Sequence, residues 1–163
     1  MKQKGFTLVE VLVVLAITGV ILTGAVLSIY SVFLGTDRNN SQIVALTDID
    51  RAVLVIKKDL MMAQETNLSS TPQSSANLTW IDYTTSFESS NQSNHSSSYI
   101  LSGTELRRTY DGTLSIIGRN ITSLDFTQSG RVVTVVITAT GPGVRQRSET
   151  LTFSSLIRAE EIE

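Results

Sequence analysis

Apolar side chains fall into three successive patterns along the chain. Residues 11–36 carry no charge, and most are Val, Leu, Ile or Ala. As a helix rising about 1.5 Å per residue, this stretch is roughly 39 Å long, enough to cross a hydrocarbon core of roughly 30 Å. After Gly35-Thr36-Asp37 the apolar positions recur in three- and four-residue steps, at Ile43, Leu46, Ile49, Val53, Ile56, Leu60 and Ala63. That spacing predicts an amphipathic helix over residues 37–65, with Asp48, Asp50, Arg51, Lys57, Lys58, Asp59 and Gln64 on a solvated face. The stripe is too short to require a coiled coil, so it is expected to pack on a sheet further along the chain. Gly35 and Asp37 either break the helix or lie within one continuous helix of roughly 60 residues, near 90 Å long.

Beyond residue 65 the period changes. Residues 66–77 are rich in Ser, Thr and Asn and read as a loop. Residues 78–84 have strand composition, and residues 86–98 form a Ser/Asn-rich stretch expected to be a surface loop. Further strands are expected at 99–101, 105–110, 114–117, 121–127, 131–140 and 145–156. The clearest is Arg131-Val132-Val133-Thr134-Val135-Val136-Ile137-Thr138, bracketed by Ser129-Gly130 and Gly141-Pro142-Gly143 as turns. Short spacings between strands predict an antiparallel meander. The fold class is therefore α+β: a long amino-terminal helix packed on an antiparallel β domain over 66–163.

Composition narrows the chemistry. The net charge of −2 gives no overall field toward nucleic acid or an anionic membrane. With no cysteine in the chain, disulfides, thiol catalysis and thiolate metal sites are excluded. His95 is the only histidine and lies in the serine-rich stretch, where a solvated role is expected and no nucleophile–base–acid set is completed. No glycine-rich phosphate loop or metal-ligand cluster is present, and Asp111-Gly112 reads as turn chemistry. Trp80 is expected in the core. Asn67, Asn77, Asn94 and Asn120 begin Asn-X-Ser/Thr triplets, at a frequency that chance explains in so Ser-, Thr- and Asn-rich a chain. Neither an enzymatic activity nor a cofactor or metal is expected.

The amino terminus is the most informative segment. It reads Met1-Lys2-Gln3-Lys4-Gly5-Phe6-Thr7-Leu8-Val9-Glu10. The leader charges Lys2 and Lys4 predict a cytoplasmic amino terminus and an exported carboxyl-terminal domain. A secretory signal would have a shorter apolar region followed by a small-residue cleavage site. A simple signal anchor accounts for the hydrophobicity but not for Glu10, whose carboxylate is costly at the bilayer edge unless it reaches water or a partner. Gly19 and Gly24 suit close helix–helix approach or a weak point in the helix.

The residues from Gly5 to Glu10, with Lys2 and Lys4 ahead and the apolar run behind, closely resemble the processing motif of type IV pilins and type II secretion pseudopilins. The resemblance implies cleavage between Gly5 and Phe6 by prepilin peptidase, N-methylation of Phe6, and assembly through Glu10, which in that family pairs with the terminal amine of a neighbouring subunit. It implies a leader at 1–5, a transmembrane and filament-core helix at 6–36, and a pilin-like fold. Implied partners are other pilin or pseudopilin subunits, the peptidase and an inner-membrane assembly platform. The implied location is a single pass of the inner membrane, then an extracytoplasmic filament. The helix segment from Asp50 to Leu60 with Ala63, and the segment Leu101-Ser102-Gly103-Thr104-Glu105-Leu106-Arg107-Arg108, are similar to J-class pseudopilins and W-type minor pilins. A binding or sensor domain on an uncleaved anchor is the alternative; an envelope hydrolase has no supporting residues.

Overall fold

The structure is a computed structural model that describes residues 7–82 and 93–158. One helix, α1, runs unbroken from Leu8–Met62. At about 1.5 Å per residue its length is roughly 82 Å, so Gly19, Gly24 and Gly35 lie inside a continuous element. Thr7 caps its start in extended conformation (φ −82°, ψ 150°). Ala63 caps its end, its N–H donating to the Asp59 carbonyl at 2.9 Å.

Every residue from 8 to 33 is exposed. Several Ser and Thr hydroxyls along the apolar run bond back to the helix. Thr23 donates to the Gly19 carbonyl at 2.8 Å, Ser28 to Gly24 at 2.8 Å and Thr36 to Val32 at 3.0 Å. Such bonds let polar side chains sit in an apolar helix without an unmet donor.

The carboxyl-terminal domain holds two antiparallel sheets. The first has order β1 (Glu65–Thr66), β2 (Ser75–Asp82), β3 (Ser93–Ser102), β4 (Glu105–Tyr110) and β5 (Thr113–Gly118). The second has order β6 (Ile121–Ser129), β7 (Val132–Thr140) and β8 (Ser148–Leu156). Each is the meander expected of short connections. Asp111 (φ 45°) and Gly112 (φ 80°) form the two-residue turn between β4 and β5, both in the left-handed region that such hairpins require. The sheets are joined by a bridge between Gln73 and Phe126, with amide-to-carbonyl distances of 3.0 and 2.8 Å.

Two sequence expectations change. The loop expected over 86–98 is strand from Ser93 onward, because Ser93 to Ser98 pair with β2, and Ser97 and Ser98 pair with β4 as well; its earlier part lies outside the described residues. The buried stripe of α1 is also rotated. Ile43 and Leu46 are exposed and Val53 is half-buried, while Ser41, Ala45, Ile49, Ala52, Ile56, Asp59 and Leu60 face the sheets. Small residues win here because they let the sheets approach. A Cβ on Gly118 would stand 3.5 Å from that of Ala52. The stripe meets Leu78, Trp80, Tyr99, Leu106, Leu124, Phe126, Val133, Val135 and Ile137 in one core. Each large side chain buried there contributes about 1.5–3 kcal/mol.

Three acids fasten α1 to the domain. Asp37, Asp48 and Asp59 are each eleven residues apart, close to three full turns, and so share one helix face. Asp37 Oδ2 accepts from the Arg145 N–H at 3.2 Å. Asp48 accepts from the Arg119 N–H at 3.2 Å and from Asn120 Nδ2 at 2.8 Å. Asp59 is fully buried, which corrects its placement on a solvated face. Its two oxygens accept from Arg108 Nε at 2.7 Å and Nη2 at 2.9 Å; Ser97 Oγ donates to it at 2.6 Å, and so does the Tyr99 hydroxyl. Burial, then the charge and hydrogen bond of Asp59, push the Tyr99 hydroxyl well above its ordinary range. Burial opposes the Arg108 charge, but Asp59 outweighs it and holds the guanidinium above its usual value.

Removing one partner of such a pair leaves the others buried without a counter-charge. Asp59→Ala is expected to cost about 3–5 kcal/mol. Urea unfolding of the full chain in detergent, followed through the fluorescence of Trp80, the sole tryptophan, reads this directly. An unchanged midpoint would show that the network contributes nothing to the docking of α1.

Candidate functional site: the head and exposed face of the long helix

Thr7 and Glu10 form the first turn. The Glu10 N–H donates to Thr7 Oγ1 at 3.3 Å and to the Thr7 carbonyl at 3.1 Å. Thr-x-x-Glu is the spacing of a capping box, with Glu at the third helical position. A carboxylate there also faces the positive end of the helix dipole. The Glu10 side chain is exposed, so it is open to a partner beyond its own chain. Lys2, Lys4, Gly5 and Phe6 lie outside the described residues.

Behind this head, residues 8–33 of α1 have no cover from the other described residues. A Cβ added at Gly19 or Gly24 would meet nothing within 4 Å. Nothing within the chain therefore requires glycine at either position. The helix is long and apolar enough to cross a membrane.

The remaining candidates for chemistry lie in the β domain. His95 is not in a solvated loop. It is half-buried on β3, its ring stacked on Tyr110 at 5.8 Å between centroids and tilted against Trp80 at 6.0 Å. Nδ1 of His95 lies 2.5 Å from Asp111 Oδ2, and Ser93 Oγ lies 3.2 Å from Nε2. The expectation that no such set assembles around His95 is thus corrected, since Ser93, His95 and Asp111 stand in relay order. The triad also depends on donors for an oxyanion and on a cleft that orients substrate. Among the described residues, Ser93 and Asp111 are exposed and His95 is half-buried. Tyr110 shares Nδ1 at 3.2 Å, and Asp111 is tied to the Ser96 N–H at 2.8 Å. The set works as a cross-strand clamp that continues to Asp59, because the Arg108 guanidinium lies 4.6 Å over the Tyr110 ring.

A groove of about 510 Å³ is lined by Met61, Arg131, Val132 and residues 154–158. Arg131 spends its guanidinium on the Ile157 carbonyl, at 2.8 Å from Nη2. Ser154 Oγ is bonded to Thr134 Oγ1 at 2.9 Å. Among the described residues, no group of three or more His, Cys, Asp or Glu could hold a metal ion. Sequence reasoning missed the Asp37, Asp48 and Asp59 series, although its eleven-residue period was there to be read.

The sequence matches the family model of the prokaryotic N-terminal methylation motif over residues 1–26. No curated protein and no solved structure matches the chain. The matched motif supports a precursor of the type IV pilin and pseudopilin kind, processed by prepilin peptidase. The long helix packed on antiparallel sheets agrees with a pilin fold.

The clamp gives a pH dependence of known sign. Asp111 is held below the ordinary carboxylate range, first by the Ser96 N–H and then by the hydrogen bond to His95. A carboxyl lowered on folding stabilises the fold above its unfolded value of about 3.9, and that contribution disappears as the pH falls through the folded value. Asp111→Asn is therefore expected to be less stable than the parent at pH 6, with the gap closing below pH about 4. Urea midpoints of both chains at pH 6, 4 and 3 measure it; a constant gap means that charge plays no part.

Proposed function

We propose that this chain is a minor pilin or minor pseudopilin, a structural subunit of a type IV pilus or of a type II secretion or DNA-uptake filament. One observation carries the reading: a methylation motif stands at the head of a helix that is exposed from residue 8 to residue 33 among the described residues and whose lower half is fastened to a β domain. A chain so divided has its binding surface on the first half of α1, covered by lipid before assembly and by neighbouring helices afterward.

The steps follow from charge. Residues 1–5 are removed by cleavage between Gly5 and Phe6, and the new terminus at Phe6 is methylated. Cleavage leaves an ammonium at the amino end of a helix, where the dipole is also positive. In a low-dielectric setting that charge needs a carboxylate, and Glu10 of an adjacent subunit supplies one. Pairing removes the desolvation problem of both groups and fixes the axial stagger between subunits. The assembly platform of the inner membrane and other pilin-like subunits are the partners, and the β domain faces outward. The basic pair at Lys57-Lys58 with Asp59-Leu60, and Leu106-Arg107-Arg108, support a J-class or W-type subunit. In this chain the two segments meet, through Asp59 and Arg108.

The second reading is an extracytoplasmic binding or sensor domain on an uncleaved anchor. The place of Glu10 in the first turn of α1 favours it, since a carboxylate there faces the positive end of its own helix dipole. Intact-mass spectrometry of the membrane-extracted protein separates the two. Loss of residues 1–5 with one added methyl on Phe6 is the expected result, and an intact leader would sink the filament reading.

Glu10→Val supplies a further test. Cleavage should persist while co-purification with other subunits falls at least tenfold, as measured by affinity capture from solubilised membranes. Undiminished incorporation would leave Glu10 with capping alone.

A further inference from the structure

The β7–β8 connection, residues 141–147, is held against α1 at one height. The Arg145 N–H donates to Asp37 Oδ2 at 3.2 Å, and the Arg147 N–H donates to Ser41 Oγ at 2.9 Å. Gly141 N–H closes the loop on the Arg147 carbonyl at 2.9 Å. There is no slack in the contact. A Cβ at Gly141 would fall 1.8 Å from the Ser41 carbonyl oxygen, and one at Gly143 (φ 113°) would fall 2.6 Å from Asp37 Oδ1. Both glycines are therefore required by close approach.

That height is the end of the apolar run. Residues 11–36 are uncharged and Asp37 is the first charge after them. Ser41 lies only about 6 Å further along the helix than Asp37. If α1 spans the bilayer up to Thr36, the loop stands at the level of the lipid headgroups. Its side chains suit that level. Val144 is 94% exposed, the most exposed of the large hydrophobic residues described, and Pro142 beside it is also exposed. Arg145 and Arg38 are exposed and Arg147 is half-buried. The nearby acids have other partners, Asp37 in the loop amide and Glu149 in Gln42 Nε2 at 2.8 Å.

We infer that residues 141–147, with Arg38, form a foot that rests on the outer face of the membrane, with Val144 entering the interfacial zone and Arg38 and Arg145 pairing with phosphates of anionic phospholipids. An apolar tip flanked by arginines is the composition of surfaces that lie in the bilayer interface. The planar guanidinium fits a phosphate in bidentate fashion. The foot would fix the tilt of α1 and hold the β domain upright before the subunit leaves the membrane. The inference rests on the membrane-spanning reading of α1.

The chain contains no cysteine, so single-cysteine labelling is unambiguous. Full-length Val144→Cys, Ile21→Cys and Leu114→Cys chains carry an environment-sensitive fluorophore and are placed in phosphatidylcholine vesicles, with and without phosphatidylglycerol, at dilutions where chains are isolated. Nitroxide lipids labelled at the headgroup or deep in the acyl chain serve as quenchers. The expected pattern is deep quenching at 21, headgroup quenching at 144 and none at 114, on the outward face of β5. Phosphatidylglycerol should raise the quenching at 144 at least twofold, and Arg38→Gln with Arg145→Gln should abolish that rise while leaving 21 unchanged. Quenching at 144 no greater than at 114, with 21 deeply quenched, overturns the foot alone. Absence of quenching at 21 overturns the spanning helix itself. Protection of 144 only at concentrations where chains associate overturns the lipid assignment in favour of a neighbouring subunit.

Discussion

A single helix here must satisfy two different solvents, and the other features of the structure follow from that constraint. Within hydrocarbon, a backbone has no water to bond with, so the first half of α1 has to be helical, unbroken and apolar on all sides. The hydroxyls of Thr23, Ser28 and Thr36 turn back onto the helix for the same reason. In the second half the helix has one face against a sheet and one in water. It changes from an all-round to a one-sided apolar pattern without any break in its hydrogen bonding.

The change of regime raises a problem of registration. A smooth apolar stripe made largely of Ala, Ile and Leu gives adhesion, but it allows sliding and rotation. The acids at 37, 48 and 59 remove that freedom, because each accepts from a different part of the β domain: the β7–β8 loop, the Arg119-Asn120 turn and strands β3 and β4. The first two use backbone or amide donors near the surface, where a charge is screened and contributes little energy. Asp59 is buried, and its four hydrogen bonds offset the cost of bringing a carboxylate into the core. A misplaced helix would leave that charge unpaired, so the penalty falls on the wrong arrangement more than the reward falls on the right one.

This division explains what was legible in the sequence. An uncharged run, a change to three- and four-residue steps, and Val-rich segments separated by Gly turns are signals of solvent and period; they indicated the two halves of the helix and strands β4 to β8, but left open whether the halves join at Gly35–Asp37. They give less where composition misleads. Ala45 and Ala52 carry a weak apolar signal yet lie at the centre of the contact, whereas Ile43 and Leu46 carry a strong one and face outward. Asp59 read as solvated because acids usually are; only tertiary contact with Arg108 overrides that preference. Ser93 to Ser98 read as a loop from their composition, but pairing with β2 along the whole segment, and with β4 at Ser97 and Ser98, makes a strand of them. At the amino terminus the opposite holds. Its message is linear and addressed to other proteins, so the residues from Gly5 to Glu10 are more informative as sequence than as structure.

Glu10 joins these two levels. In the isolated chain it occupies the third helical position after a threonine cap, where it favours helix formation. This local role accounts for an acid near the start of a helix, but not for an acid placed at the head of a membrane-crossing run, since a serine, threonine or asparagine cap needs no charge there. Charge is required if a second charge arrives. On the proposed reading, cleavage after Gly5 would create one in the least favourable place, an ammonium on the positive end of a helix dipole. On that reading the same carboxylate would stabilise the helix before processing and become the complement of a neighbour's terminus after it. The capping geometry would not compete with the proposed assembly role: the Thr7 cap fixes the backbone of Glu10 in the first turn, and a fixed height is what axial stagger between subunits would demand.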